Sequence, residues 1–250
     1  MFFPDERVFA DRREAGRELG RLLTRAVKPG EAIVLALPRG GVPVAYEIAR
    51  ALDIPLDVFL VRKLGTPGHP ELAMGAIASG GIRVLNDEVV QALNIPQQQI
   101  DAVAAQEQRE LERRDAAYRQ GRSLPELTNR SVILVDDGLA TGSTMKAAVQ
   151  AVKQQSPKRV IVAVPVGALD TCRVLGDMAD EVVCARTPQP FSAVGQWYRD
   201  FSQTSDDEVM SLLRDVQGGP EEQGRPDVEG RPEVEGRPEG RPLPYATSRS

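Results

Sequence analysis

The chain has 250 residues, of which 41% are hydrophobic and 27% charged, and its formal net charge is −5. That length buries a real core without disulfide or metal staples, and the acidic balance argues against a broadly basic nucleic-acid-binding face. His69 is the only histidine, which excludes sites that need two; Cys172 and Cys184, the only cysteines, make neither a disulfide framework nor a metal knuckle. No run approaches the ~20 apolar residues needed to span a bilayer. The opening MFFPDERVFADRR turns charged too soon for a secretory leader, so a cytoplasmic location without membrane attachment is expected.

In chain order, residues 11–27 predict an amphipathic helix with Ala15, Leu19, Leu22 and Ala26 on one stripe. Asp11 and Glu14 resemble a capping box at its start. The run AIVLAL (32–37) predicts a buried strand, followed by the turn Pro38-Arg39-Gly40-Gly41 and a helix over 42–52. A second strand is predicted over 56–61, ending in Arg62-Lys63, and then a mobile Gly- and Pro-rich loop over 64–71. Residues 72–79 and 82–85 predict a hairpin across Gly80-Gly81.

A polar helix over 97–120, carrying Ile100, Val103, Leu111 and Tyr118, lies within an insertion over 86–128. It is open to reading as a lid, a dimer arm, part of a hood or a solvated structural helix. Strands over 131–135, 159–166 and 181–185 then alternate with helices over 143–155, 168–178 and 205–215. From 217 to 250 the chain repeats GRP and carries almost no large apolar side chain, so it is expected to be a disordered tail to a domain over 1–216.

Strands that are apolar throughout, alternating with helices, predict an α/β fold whose central, mostly parallel sheet is covered on both faces. Ligands of such sheets bind beyond the carboxyl ends of the strands. The most informative loop there follows VILV (132–135): Asp136-Asp137-Gly138-Leu139-Ala140-Thr141-Gly142-Ser143-Thr144. Two carboxylates end a buried strand, and a small-residue turn opens a helix whose unpaired N–H groups and dipole attract an anion. The carboxylates suit sugar hydroxyls or the water shell of a hard cation such as Mg²⁺. The bland reading of the acidic pair alone is a polar strand end with a helix cap. Neither a Walker P-loop nor a GxGxxG fingerprint is present.

This nine-residue stretch resembles the ribose-phosphate-binding motif of type I phosphoribosyltransferases, and is close to the adenine-specific branch. The resemblance implies that fold, with a core over about 30–202 and a small hood, ahead of the tail read from composition. It implies that Asp136 and Asp137 hold the ribose hydroxyls of phosphoribosyl pyrophosphate (PRPP). Ala140, Thr141, Gly142, Ser143 and Thr144 would then hold its 5′-phosphate. Hypoxanthine-guanine enzymes carry an Asp where Ala140 stands, so the proton acceptor stays unassigned. Arg39, Gly40 and Gly41 match a pyrophosphate loop, with plain turn geometry as the alternative, and Arg62 and Lys63 suit the same leaving group. His69 and Glu71, on the predicted loop, are candidates for donating to pyrophosphate or acting on a base proton, against exposed loop residues as the alternative.

Residues 187–201 resemble the Pro-x-x-Phe-x-Val-Gly segment of the 6-oxopurine enzymes, which implies Phe191 as a stacking ring, Val194 beside it and Asp200 at the base edge. The competing reading is a core cluster of Phe191, Trp197, Tyr198 and Phe201. Val164-Pro165-Val166 stands where those enzymes place a base-reading lysine, which leaves base identity open.

The expected activity is transfer of 5-phosphoribose from PRPP to a nitrogenous base, a purine favoured, with Mg²⁺-assisted release of pyrophosphate, as in nucleotide salvage. The expected cofactor is Mg²⁺, held by Asp136 and Asp137 mostly through water and PRPP. The expected partners are PRPP and a nucleobase-like acceptor, with a homodimer left open. A PRPP- or nucleotide-sensing regulator on the same fold is the alternative, and a phosphohydrolase a third reading.

Overall fold

Ala32–Ala36 (β1), Ser131–Val135 (β6) and Arg159–Val166 (β7) are apolar along nearly their whole length because both faces of their sheet are covered. The alternation survives underneath. Val34, Ala36, Ile133, Val135, Ile161 and Ala163 enter one apolar cluster, while Ile33, Leu35, Val132, Leu134, Val160 and Val162 enter the other. Side chains that alternate across the pleat thus build a core on each side. The computed structural model describes residues 8–28 and 30–216; the GRP-repeat segment lies outside the described residues.

The sheet has five strands in the order β2-β1-β6-β7-β8, where β2 is Leu56–Val58 and β8 is Glu181–Arg186. All its pairs are parallel, with β1 flanked by β2 and β6. The chain runs from β1 outward to β2, then returns to place β6 on the other side of β1. The crevice between the carboxyl ends of β1 and β6 is therefore the switch point where such sheets bind ligands. The two loops singled out in the sequence flank it.

Helix α1 (Arg12–Leu23) is capped by Asp11, whose Oδ1 accepts from Glu14 N–H at 2.7 Å. Its buried stripe is Ala15, Leu19 and Leu23; Leu22, expected inside, is 53% exposed. The i, i+4, i+8 spacing wins because Gly16 and Gly20 on the same side bring α1 close to α2 (Gly41–Leu52). A Cβ on Gly16 would come 2.5 Å from the Val44 carbonyl oxygen, and one on Gly20 2.8 Å from the Ala51 Cβ.

The run 56–61 does not continue into Arg62-Lys63 as one strand. It breaks after Val58, and Val61–Thr66 (β3) starts a second, antiparallel sheet of three strands in the order β3-β4-β5. His69–Ala78 (β4) and Ile82–Leu85 (β5) form the predicted hairpin across Gly80-Gly81, but β4 also pairs back onto β3. Residues 64–71, expected to be a loop, are thus mostly strand, and only Pro67-Gly68 turns. Gly65 permits this, since a Cβ there would come 2.8 Å from the Pro70 carbonyl.

Within 86–128, the short α3 (Asp87–Ala92) buries no residue, whereas α4 (Gln97–Arg119) is built on the apolar positions Ile100, Ala104, Leu111 and Tyr118, all buried. Arg119 locks the end of α4 to the sheet edge. Its side chain, 2% exposed, pairs with Asp57 and Asp115 and donates to the Val58 carbonyl at 2.7 Å. The remaining helices are α5 (Ser143–Lys153), α6 (Leu169–Gly176) and α7 (Asp206–Val216). Cys172 on α6 and Cys184 on β8 are disulfide-bonded, contrary to the sequence expectation. Both sulfurs crowd Gly167, where a Cβ would come 2.7 Å from Cys172 Sγ. Among the described residues no helix is long and apolar enough to cross a membrane.

Candidate active site

The loop after β6 is pinned at one point and exposed elsewhere. Leu139 is buried; its N–H donates to Val166 O and its carbonyl accepts from Ala168 N–H, both at 2.9 Å. Beyond this anchor Ala140, Thr141, Ser143 and Thr144 are exposed. Thr171 on α6 steadies the turn, its hydroxyl donating to Ala140 O at 2.7 Å. Gly142 adopts φ +68°, and a Cβ there would fall 2.5 Å from Thr171 Cγ2. Its conformation turns the chain into α5. Among the described residues the N–H groups of Gly142, Ser143 and Thr144 meet no acceptor. With the Thr141 and Ser143 hydroxyls 3.2 Å apart beside them, the start of α5 is a donor-rich cradle for an anion.

The acidic pair stands at the mouth of that cradle. Asp136 accepts from the Asp137 N–H at 2.9 Å, and burial together with the Asp137 charge raises its carboxyl well above the ordinary range. Burial also raises Asp137, but the Arg12 guanidinium opposes the rise. Arg12 Nε and Nη2 each lie 2.9 Å from Asp137 Oδ2. The Tyr198 hydroxyl donates to the Asp137 carbonyl at 2.6 Å, and burial drives that phenol's pKa strongly upward.

Across the crevice, Gly40 and Gly41 at the start of α2 abut the pair. A Cβ on Gly40 would come 2.6 Å from the Asp137 carboxyl carbon, and one on Gly41 2.6 Å from Val135 O. Close approach, rather than amides turned toward an anion, explains Gly41, whose N–H donates to Leu37 O at 3.1 Å. Arg39 is partly exposed, with its guanidinium 3.9 Å from an Asp206 carboxylate oxygen.

A small cavity is lined by Pro38, Arg62, Arg114 and Thr144, which joins the turn after β1, β3 and the anion cradle. It shares Val61 and Arg62 with a cavity of about 610 Å³ between the β3–β4 hairpin and α4, which Lys63 also lines. Arg62 pairs with Glu107, and Lys63 lies 3.5 Å from Glu71. His69 and Glu71 are exposed on the hairpin, and among the described residues neither contacts the acidic pair.

Phe191 and Val194 pack on the buried cluster of Phe9, Ala15, Val166, Trp197 and Tyr198, with Phe201. Val194 closes on the acidic loop, since a Cβ on Gly138 would come 2.5 Å from its Cγ1. Asp200 instead faces the α1 side. It accepts from Ser202 N–H at 2.9 Å, and that bond lowers its pKa. Asp200 lines a cavity of about 180 Å³ with Arg12 and Arg13.

Sequence reasoning missed Arg12, Thr171 and the Tyr198 hydroxyl. Arg12 stands 125 residues from Asp137, and no local pattern marks it as a partner.

A parallel sheet whose switch-point loops present an acidic pair and a donor-rich helix start defines an α/β domain with a crevice suited to an anion. Comparison with known proteins makes this specific: the phosphoribosyl transferase domain family matches residues 13–186, and the chain belongs to that family. Two curated sequences, from two strains of Mycobacterium tuberculosis and provisionally named phosphoribosyl transferases, are each 50% identical over 208 residues. The match covers 83% of this chain and 46% of each relative, so the chain spans about half the length of the curated relatives it matches. The crystal structure of TT1426 from Thermus thermophilus is 43% identical, with a TM-score of 0.77, over 84% of this chain and 100% of that one.

Proposed function

We propose that the domain transfers 5-phosphoribose from PRPP to a nitrogenous base and releases pyrophosphate. The observation that carries this is the unpartnered N–H groups, among the described residues, at the start of α5 beside two half-buried carboxylates at the switch point. Loop 140–144 grips the 5′-phosphate, and Asp136 and Asp137 accept from the ribose hydroxyls. Arg39, Arg62 and Lys63 face the diphosphate, with Arg62 and Lys63 exchanging their carboxylate partners for it. Chemistry of this kind asks the protein mainly to orient the reactants and to stabilise charge on the departing group.

The residues fit Mg²⁺ carried in with the substrate. Among the described residues no group of three or more potential ligand side chains is present. An acidic pair beside a phosphate-rich substrate suits a cation that keeps much of its water and takes one or two carboxylates. When bound, Mg²⁺ neutralises leaving-group charge. A purine acceptor is favoured by the resemblance of residues 187–201 to the 6-oxopurine enzymes. Support comes from Phe191 and Val194, which share a cluster with Tyr198, the residue that bonds Asp137.

The test is purified protein with PRPP, Mg²⁺ and a panel of bases. Pyrophosphate released only with one base is the expected outcome. Tight PRPP binding without turnover across the panel would instead identify a sensor, and release of orthophosphate a hydrolase.

A further inference from the structure

The two carboxylates of the acidic pair are not equivalent. Asp136 accepts only the neighbouring Asp137 N–H among the described residues, whereas Asp137 is gripped from two sides. Arg12 delivers Nε and Nη2 to one oxygen, Oδ2, and among the described residues no side chain donates to Asp137 Oδ1. Arg12 is itself fixed. Its side chain is 11% exposed, Nη1 donates to Ser202 O at 2.7 Å, and the guanidinium lies 4.0 Å from the Phe201 ring centroid. Phe201 stacks on Tyr198 with centroids 5.0 Å apart, and the Tyr198 hydroxyl holds the Asp137 backbone. Asp11 caps the helix that starts at Arg12, so the guanidinium stands on a rigid element.

Resting on the reading of the acidic pair as the ribose site, we propose that Arg12 is a positioning residue for the sugar. It occupies Oδ2 of Asp137 and leaves Oδ1 as an oriented acceptor for a ribose hydroxyl. Two N–H donors on Oδ2 keep that oxygen engaged and hold the carboxylate in one orientation. The planar fork also sets direction, which a point charge does less well.

Wild-type, Arg12→Gln and Arg12→Lys proteins titrated calorimetrically with PRPP and Mg²⁺, and melted without ligand, test this. Loss of a charged hydrogen bond predicts at least about tenfold weaker PRPP binding in Arg12→Gln. Arg12→Lys is expected to recover part of that loss although the two variants melt at similar temperatures. Arg12→Gln binding PRPP like the wild type would overturn the role. So would Gln and Lys variants equally impaired in binding, because a role confined to the scaffold predicts no rescue by charge. If Arg12→Gln fails to fold, Tyr198→Phe, which keeps the ring, is expected to bind PRPP several-fold more weakly, and unchanged binding there counts against the proposal. A wild-type protein that binds no PRPP sinks the ribose reading itself, whereas a neutral Arg12→Gln in a protein that binds PRPP sinks only the part given to Arg12.

Discussion

Gly40 and Asp137 touch across the crevice between β1 and β6: a methyl group on Gly40 would run into the Asp137 carboxylate, 2.6 Å from its carbon. Gly40 has φ −60° and ψ −32°, angles any residue adopts. The glycine is required by the neighbour, not by the backbone. Gly40→Ala is therefore expected to push the carboxylate off its Arg12 contact and weaken PRPP binding about tenfold, the cost of a charged hydrogen bond. Titration calorimetry reads this, and wild-type affinity in the variant would detach Asp137 from the ligand.

Asp137→Asn removes the charge that Arg12 neutralises and one acceptor of the pair. PRPP affinity is expected to fall by more than about 1 kcal/mol, or at least about fivefold. The same calorimetric titration checks it, with circular dichroism confirming that the variant is folded.

The acidic pair predicts a pH dependence with a definite sign. Burial raises the folded-state pKa of Asp136 well above its unfolded value, and that of Asp137 less. A carboxyl bound more tightly to its proton in the folded chain stabilises it below the unfolded pKa, about 3.9. That contribution disappears as pH rises through the raised folded value. Asp136→Asn, permanently neutral, is expected to melt higher than wild type at neutral pH and to lose that advantage as pH falls toward about 4. It should also bind PRPP more weakly. Parallel melting curves against pH for the two proteins would refute the assignment.

Arg119 and Asp57 predict a stability effect remote from the site. Burial raises the Asp57 pKa and the guanidinium offsets part of the rise. Arg119→Met leaves that carboxylate without its main partner, a change worth about 3–5 kcal/mol for buried pairs. Arg119→Met with Asp57→Asn should recover part of the loss, since the stranded charge is then gone. Urea denaturation of the single and double variants measures both.

Much of this arrangement was legible in the sequence because its signals are local. Four apolar residues before Asp136 mark β6, and the small residues from Ala140 to Thr144 suit a tight, open turn. The break between β2 and β3 was hidden, since an apolar run over 56–61 looks the same whether it stays in one sheet or passes into a second. Leu22 and Leu23 are chemically identical, so only the approach of α1 to α2 at Gly16 and Gly20 decides which is buried. The cysteine pair and the Arg12–Asp137 contact join residues whose adjacency is created by the topology. The segment 187–201 admitted two readings; the structure packs Phe191 against the aromatic cluster, as the core reading expects, and that cluster also reaches the acidic loop through Val194 and Tyr198.

The way α1 is seated bears on how the protein should be dissected. The family match begins at residue 13 and ends at 186. Those limits cut away Arg12 on one side and Tyr198 and Phe201 on the other. A fragment trimmed to them keeps both switch-point loops but loses the clamp on Asp137 from each flank. Assays of a minimal catalytic unit should start upstream of Asp11 and run past Ser202, or they will measure a pocket with its second carboxylate unsupported.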